Sequence, residues 1–258
     1  MHVYLAIPAY NEEKRIAHVM EDCISLIGRF GDDITIMVIS ESSDLTDSIV
    51  AGYSNKYRNI LLLKSSDRLG KGGAIMKAFK ASCEKCGGND VLGFVDADGS
   101  VSAQEVERLV RLLSSNSLDG VMGSRYLAGS KMDGRMPLSR AISSRAYNLL
   151  VRMLFGFHYT DTQCASKFFT AKALQPILPR IALKHTTFDI DLLYNLELDG
   201  RKIEEVPITY KVVPGGLKPA IIAIFLTTLW LRVSHTWVWG LMPERLRNSI
   251  SYITNRAR

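Results

Sequence analysis

The stretch that decides the fold is Val91-Leu92-Gly93-Phe94-Val95-Asp96-Ala97-Asp98, a short apolar run followed by two carboxylates on either side of an alanine. An apolar run without alternation predicts a strand that is buried on both faces of a parallel sheet. Mg²⁺ binds oxygen ligands and typically takes one or two carboxylates together with substrate phosphates. The stretch therefore predicts a central strand that ends on a metal and diphosphate site. Turn or helix-cap aspartates would give the same pattern, so the flanking sequence has to support this reading.

Strand and helix patterns alternate around this run. Apolar runs predict strands at 3–7, 34–39, 60–63, 91–95 and from 120 onward, and helical spacing predicts helices at 12–27, 45–57, 72–83 and 103–113. This alternation predicts an α/β fold with a mostly parallel central sheet flanked by helices. Ligands bind beyond the carboxyl ends of the strands in such sheets. We therefore expect the turns at 8–13, 40–44 and 96–100 to meet on one rim.

The composition narrows the partners without selecting one. The 258 residues are 47% hydrophobic and 22% charged, with a formal net charge of +6, which suits a globular protein with an anionic partner. Nucleotide phosphates and a membrane surface both fit this charge. The basic stretch 135–152 lacks interleaved aromatic residues and no nucleic-acid module accompanies it, so we expect no nucleic-acid partner. The first eight residues lack the features of a signal peptide, which favours a cytoplasmic location.

Four cysteines are present, and only Cys83 and Cys86 form a C-x-x-C pair. No second pair or histidine pair follows at zinc-ligand spacing, and the pair falls at the end of a predicted helix rather than at its start. Ordinary cytosolic thiols are the favoured interpretation, and a zinc or redox site is the alternative.

A glycine-rich turn and an arginine add cations to the predicted rim. Arg68-Leu69-Gly70-Lys71-Gly72-Gly73-Ala74 combines two cations with glycines at a helix start, where backbone N–H groups favour anions. Gly123-Ser124-Arg125 ends the fifth strand, and arginine is suited to bidentate phosphate contact. Both features agree with a nucleotide diphosphate at the Asp96-Ala97-Asp98 turn.

These motifs occur in a characteristic order: 7–13, 70–74, 96–99 and 123–125. In this order they resemble glycosyltransferase family two, whose members have the GT-A fold. The runs 161–164, 167–170, 188–194 and 205–208 resemble the dolichyl-phosphate sugar synthase group within it, the glucosyl branch in particular. The likeness covers residues 3 to 215.

The resemblance implies roles for individual residues. It implies Mg²⁺ or Mn²⁺ on Asp96 and Asp98. The nucleotide-sugar site would comprise Pro8, Tyr10, Glu12, Glu41, Lys71, Asp96 and Asp98. The residues that act in catalysis would be Asp98, Arg125, Arg140 and Ser144, and the acceptor and sugar pocket would comprise Arg125, Arg140, Ser144, Asp189 and Asp191.

Three segments depart from the family pattern. The second turn reads Ser40-Glu41-Ser42-Ser43-Asp44 in place of an acidic pair, which makes Glu41 its best-placed carboxylate. Ser100 stands where the mannosyl branch carries a glutamine as an extra metal ligand, and Ala165-Ser166 replace a Gly-Phe pair of the glucosyl branch.

The function implied by this resemblance is an inverting transfer of glucose or mannose from a UDP- or GDP-sugar to a polyprenyl phosphate. The phosphate oxygen is already anionic, so no strong general base is required. One alternative is a family-two enzyme that glycosylates a hydroxyl group with Asp189 or Asp191 as base. The other is a non-catalytic subunit that binds a nucleotide-sugar.

The likeness also predicts the domain organisation, with a catalytic domain at 1–215 and a C-terminal amphipathic helical segment at 216–258. The apolar stretch 219–231 is shorter than the roughly 20 residues of a spanning helix. With its tryptophans and arginines the segment predicts an interfacial anchor. A helix packed on the core is the alternative, and a membrane subunit is a possible partner. We therefore expect a peripheral protein on the cytoplasmic face of a membrane.

Overall fold

The computed structural model describes residues 1–183, 187–213 and 228–233. Its centre is a seven-stranded sheet in the order β3-β2-β1-β4-β7-β5-β8. The strands are β1 (Val3–Ala9), β2 (Ile34–Ser40), β3 (Ile60–Lys64), β4 (Val91–Val95), β5 (Gly120–Ser124), β7 (Ser166–Thr170) and β8 (Ile203–Pro207). A two-stranded sheet pairs β6 (Lys131–Asp133) with β9 (Thr209–Lys211). The sequence patterns did not predict this small sheet.

The predicted mostly parallel sheet is confirmed, with one strand reversed. β7 runs antiparallel to both of its neighbours, β4 and β5, while the other ladders of the large sheet are parallel. β7 lies very close to β4, because a Cβ atom on Gly93 would come within 2.1 Å of the Phe168 ring. A glycine at this point of β4 is therefore a packing requirement.

Helices cover both faces of the sheet. They are α1 (Ile16–Phe30), α2 (Thr46–Ser54), α3 (Gly70–Cys83), α4 (Ala103–Ser115), α5 (Leu138–Phe155), α6 (Ala171–Leu174) and α7 (Phe188–Leu198). α1 starts four residues later than predicted. Asn11 has a left-handed φ of 54° and the amide of Glu12 donates to Thr46 Oγ1 at 2.8 Å, so this segment forms a turn before the helix starts.

Two hydrophobic cores sandwich the sheet, and β4 serves both. Val91 and Val95 belong to the core beneath α1 and α4, whereas Leu92 and Phe94 belong to the core beneath α3 and α7. This explains why β4 reads as a continuous apolar run, since both of its faces are buried. Full burial of a side chain such as Phe94 stabilises the fold by about 1.5–3 kcal/mol.

Only a short part of the predicted C-terminal segment 216–258 belongs to the described residues. Residues 228–233 are helical and lie against α5. Tyr147 and Thr228 share a hydrogen bond of 2.8 Å between hydroxyl groups, and Arg232 Nε donates to the carbonyl of Leu154 at 2.6 Å. The remainder of the predicted segment lies outside the described residues. Within the described ranges, no helix combines the length and apolar character that crossing a bilayer requires.

Candidate active site

The turns after β1 and β2 form one continuous surface at the carboxyl edge of the sheet. Asn11 connects them, because its amide donates to Ser42 Oγ at 2.9 Å and its side-chain oxygen accepts the amide of Ser43 at 2.9 Å. The amide of Glu41 also donates to the carbonyl of Ala9 at 3.2 Å. The predicted meeting of these turns on one rim is therefore present in the structure.

An aromatic residue and a cation stand together at this rim. The guanidinium carbon of Arg68 lies 3.9 Å from the centroid of the Tyr10 ring, and Arg68 Nη1 donates to the Tyr10 hydroxyl at 2.8 Å. Tyr10 is 44% exposed. The sequence pattern predicts a cationic turn that contains Arg68 but gives no link to Tyr10, because the two residues lie 58 positions apart.

Glu41 follows β2, and its carboxylate lies at the start of α3. Its Oε2 accepts the amide of Gly70 at 3.3 Å, and Gly70 has a left-handed φ of 69° that favours glycine. A carboxylate at a helix N-terminus is stabilised by the N–H groups there. Glu41 therefore contacts the glycine-rich turn in the described structure, and its predicted contact with a nucleotide stays a prediction.

The two carboxylates of the Asp96-Ala97-Asp98 turn are both half-buried and are held differently. Asp96 Oδ1 lies 2.9 Å from Lys71 Nζ, and the Asp96 side chain is 34% exposed. Asp98 Oδ1 accepts the amide of Ser100 at 3.0 Å across a turn in which Gly99 has φ of 73°. Two partly exposed carboxylates on a fixed turn fit a divalent cation whose remaining ligands are phosphate oxygens.

The candidate metal ligands of the described residues are the two carboxylates of this turn. Among the residues that the structure describes, no three histidine, cysteine, aspartate or glutamate side chains cluster as a metal site. Ser100, which occupies the position of a possible extra ligand, is 2% exposed and its carbonyl accepts the amide of Lys211 at 2.9 Å. Ser100 therefore joins the turn to β9.

Lys71 is a cation that contacts this turn directly, at Asp96. Burial on its own lowers the pKa of Lys71, but the Coulombic attraction of Asp96 and then of Asp189 outweighs it and holds this pKa above its ordinary value. Lys71 is therefore a permanent positive charge beside Asp96 at neutral pH.

A buried ionic network lies further along the rim. Arg125 donates from Nε to Asp161 Oδ2 at 2.7 Å and from Nη2 to Asp161 Oδ1 at 2.8 Å, a bidentate pair. The Asp161 side chain is fully buried and that of Arg125 is 9% exposed. Although burial raises the pKa of Asp161, the hydrogen bonds and charge of Arg125 lower it below its usual value. The predicted phosphate contact of Arg125 stays a prediction, because the structure shows its guanidinium on Asp161.

Glu205 supports this network from β8. Its carboxylate accepts the amide and hydroxyl of Thr160 at 2.8 Å each and the amide of Asp161 at 2.7 Å. The motif positions Asp161 and Glu205 were noticed in the sequence as signs of a family, but no role was assigned to them. An acidic residue after a short loop gives no sign of which distant arginine it pairs with.

Tyr126, which follows β5, connects the same rim to α5. The Tyr126 hydroxyl donates to Ser144 Oγ at 2.7 Å, and the Arg125 guanidinium lies 5.3 Å from the Tyr126 ring centroid. Arg140 Nη1 donates to the carbonyl of Val213 at 3.0 Å. Tyr126 therefore contacts both Arg125 and Ser144, while Arg140 contacts the segment that follows β9.

The two aspartates of α7 have different surroundings. Asp189 Oδ1 lies 2.6 Å from Lys167 Nζ and Asp189 Oδ2 lies 4.0 Å from Lys71 Nζ, so Asp189 is linked to Asp96 through Lys71. Asp191 Oδ2 instead accepts the amides of Ala182 at 2.7 Å and Leu183 at 2.9 Å. Asp191 therefore fastens the loop before α7. The sequence did offer a signal for Lys167, which is an isolated charge within an otherwise apolar and small-residue strand.

Comparison with known proteins connects this geometry to a family. The sequence profile of "Glycosyl transferase family 2" matches residues 4–178, which is more than half of the chain. The chain belongs to glycosyl transferase family 2. The resemblance predicted from the ordered motifs is therefore confirmed, and the matched range contains the predicted metal turn and Arg125.

Three relatives of this family member carry curated names. Glycosyltransferase AglD of Haloferax volcanii is 27% identical over 93% of this chain and 38% of its own length. The dolichyl-phosphate beta-glucosyltransferase of Dictyostelium discoideum is 28% identical over 93% of this chain and 76% of its own. The undecaprenyl-phosphate mannosyltransferase of Micrococcus luteus is 31% identical over 81% and 84%. The chain thus spans well under half of AglD and about three quarters or more of the other two relatives.

A solved structure shows the same fold. Glucosyl-3-phosphoglycerate synthase from Mycobacterium tuberculosis, crystallised with Mn²⁺, UDP and phosphoglyceric acid, superposes with a TM-score of 0.60 at 17% identity. The match covers 88% of this chain and 78% of the synthase. At this identity the likeness establishes the fold alone, and the predicted GT-A fold is confirmed.

Proposed function

We propose that the protein is an inverting glycosyltransferase that moves glucose or mannose from a UDP- or GDP-sugar to a polyprenyl phosphate. The observation that carries this proposal is the half-exposed carboxylate pair Asp96 and Asp98 beside Lys71, at the carboxyl end of the central strand. The names of two relatives, the dolichyl-phosphate glucosyltransferase at 28% identity and the undecaprenyl-phosphate mannosyltransferase at 31%, support a lipid-phosphate acceptor.

The donor would lie across the first two turns and the metal turn. Tyr10 offers an exposed ring for the nucleotide, Pro8 lies near the end of β1 just before it, and Glu12 and Glu41 lie on the turns after β1 and β2. Asp96 and Asp98 would hold Mg²⁺ or Mn²⁺ against the diphosphate, as the Mn²⁺ and UDP of the structural neighbour suggest. When bound, the cation supplies Lewis-acid stabilisation of the leaving diphosphate.

The protein's own residues would align the two reactants and neutralise charge. Lys71 would neutralise charge on the departing diphosphate. Arg125, Arg140 and Ser144 would receive the acceptor phosphate, which has to lie in line with the anomeric carbon. In-line attack inverts that carbon, so an α-linked nucleotide-sugar would give a β-linked lipid product.

A phosphate acceptor suits this site better than a hydroxyl acceptor. An anionic phosphate oxygen is a nucleophile without deprotonation, whereas a hydroxyl needs a general base. The two candidate bases of the alternative are both engaged, Asp189 by Lys167 and Asp191 by two backbone amides. This observation supports the lipid phosphate over the hydroxyl acceptor.

A peripheral membrane location, on the cytoplasmic face, belongs to the same proposal. Besides the predicted segment 216–258, the outer face of α5 supports it. Its exposed apolar side chains follow helical spacing, which puts them on one stripe: Leu138, Ile142, Leu149 and Met153. Residues 134–160 contain four arginines and neither aspartate nor glutamate. An apolar stripe among arginines suits an anionic lipid surface, and a membrane subunit is a further possible partner.

The direct test is transfer from a panel of labelled UDP- and GDP-hexoses to vesicles that contain dolichyl or undecaprenyl phosphate. We expect one donor to give a lipid product that mild acid hydrolyses, and we expect none with the matching free polyprenol. 3-Phosphoglycerate is a matched soluble acceptor, because it carries a hydroxyl and a phosphate without a lipid. Transfer to 3-phosphoglycerate or to the polyprenol, in place of the lipid phosphate, would contradict the proposal.

A further inference from the structure

Four charged side chains form a continuous ionic chain that starts at the Asp96-Ala97-Asp98 turn. Asp96 Oδ1 lies 2.9 Å from Lys71 Nζ, which lies 4.0 Å from Asp189 Oδ2, and Asp189 Oδ1 lies 2.6 Å from Lys167 Nζ. Two lysines and two aspartates give the chain a net charge of zero. Lys71 lies within this chain, between the carboxylates of Asp96 and Asp189.

The two ends of this chain differ in freedom. The Lys167 side chain is fully buried, that of Asp189 is 3% exposed, and Lys167 also donates to the carbonyl of Cys164 at 2.6 Å. Their pair is fixed, because an isolated charge at this depth would be very costly. The Lys71 side chain is 27% exposed, and a lysine side chain is flexible. Lys71 is therefore the member of the chain that is able to move.

Loading of the site creates a conflict at Asp96. A divalent cation on Asp96 and Asp98 would lie beside the Lys71 ammonium, which already occupies Asp96 Oδ1. The divalent cation and the ammonium would repel each other because both are positive, and the repulsion is stronger where water is partly excluded. Asp189 Oδ2 offers an alternative partner at 4.0 Å, which a small rotation of the lysine side chain would reach.

We propose that Lys167 and Asp189 form a positioning pair that takes Lys71 over from Asp96 when the metal and diphosphate bind. Lys71 then leaves the metal ligand and stays beside the diphosphate instead of turning into solvent. Asp189 acts through Lys71 and does not serve as a base. This inference rests on the proposed use of a nucleotide diphosphate, but it is independent of the acceptor.

The test is a double-mutant cycle read out by calorimetric titration of Mn²⁺ into protein saturated with UDP, and with GDP in parallel. Asp189→Asn keeps the shape of the side chain and removes its charge. In the wild-type background we expect it to weaken Mn²⁺ binding on the order of tenfold, because Lys71 then stays on Asp96. In a Lys71→Met background we expect a much smaller loss, since the competing ammonium is gone.

Two further variants control for charge and for folding. Glu12→Gln removes a carboxylate whose charge also acts on Asp96 and Asp98 but which pairs with Arg15 rather than with Lys71, so its effect should add to that of Lys71→Met. If Asp189→Asn fails to fold, the double variant Lys167→Met/Asp189→Asn removes both buried charges at once and should show the same dependence on Lys71. Circular dichroism checks each fold.

The outcomes separate the possible roles of Asp189. Equal weakening of Mn²⁺ binding in both backgrounds would overturn the inference, because Asp189 would then act on the cation directly. Lost transfer with unchanged Mn²⁺ binding would also overturn it and would make Asp189 a catalytic residue. Absence of Mn²⁺-dependent nucleotide binding would overturn it together with the proposed function. Coupling without transfer to polyprenyl phosphate would support it and would contradict only the proposed acceptor.

Discussion

Two acidic clusters lie on the same rim and differ in how completely their oxygens are engaged. The turn with Asp96 and Asp98 is partly exposed, and its recorded partners are one lysine and one backbone amide. In the network of Asp161 and Glu205, Asp161 is buried, and the two carboxylates accept from Arg125 and from the amides and hydroxyl beside them. We infer that the first cluster is built to accept a ligand and the second to hold Arg125 in place.

This difference separates function from stability within one site. A buried carboxylate with several donors is an internal part of the fold, whereas a half-exposed carboxylate on a fixed turn keeps its affinity for a cation. Substitutions in the two clusters should therefore differ in their main effect. Asp161 variants should lose mainly stability, and Asp98 variants should lose mainly activity.

The largest expected effect is on stability at Asp161. Asp161→Asn keeps the shape of the side chain but leaves the buried guanidinium of Arg125 without its counter-charge. Removing one partner of a buried ion pair costs about 3–5 kcal/mol of the free energy of unfolding. Urea unfolding followed by circular dichroism measures it. A loss below about 1 kcal/mol would be close to the usual effect of a surface substitution. It would show that the pair does not stabilise the fold.

The pH dependence of unfolding sharpens the same prediction. The pKa of Asp161 is lower in the folded protein than its ordinary value of 3.8. Its stabilising contribution is thus fully present above that value and is lost as the pH falls below it, through the folded pKa. The stability gap between wild type and Asp161→Asn should therefore stay constant near neutral pH and narrow only in strong acid. A gap that narrows between pH 8 and 5 would point to a different group.

The second effect is on activity at Asp98. Asp98→Ala removes one of the two proposed metal ligands together with one hydrogen bond to the Ser100 amide. We expect a loss of about 10²–10³-fold in transfer rate and about 0.5–1.5 kcal/mol or less in the free energy of unfolding. Labelled-donor transfer at saturating Mg²⁺ or Mn²⁺ measures the first. Full activity of the Asp98→Ala variant with a chelator added would contradict a metal at this turn.

Much of the fold could be predicted from sequence because its signals are local. The burial of β4 on both faces gives an unbroken apolar run, and α4 follows helical spacing after Ser102, whose hydroxyl caps it. The reversal of β7 could not be predicted, since an apolar strand has the same pattern in either direction. Its direction is seen only in the long-range pairing of β7 with β4 and β5.

The candidate site divides in the same way. The ligand-facing turn at Asp96 and Asp98 could be predicted, because two carboxylates after an apolar run form a motif within three residues. The pairing of Arg125 with Asp161, and that of Lys167 with Asp189, could not, since the partners lie 36 and 22 residues apart. Sequence patterns therefore selected Asp96, Asp98 and Arg125 as candidates but gave no role to Asp161 and Lys167, the partners that the structure shows for Arg125 and Asp189.

The smallest effect concerns the exposed stripe of α5, which extends the comparison from clusters to surfaces. Ile142→Glu/Met153→Glu puts two carboxylates among residues that are 59% and 69% exposed, so the free energy of unfolding should change by less than about 0.5 kcal/mol. Binding to anionic vesicles should weaken about tenfold or more, because apolar contact is lost and each carboxylate is repelled. Leu198→Glu is the matched control, since Leu198 is 60% exposed at the end of α7. Vesicle flotation compares them. Equal recovery of both variants would mean that the stripe does not face the lipid, and the anchor would then have to lie within 216–258.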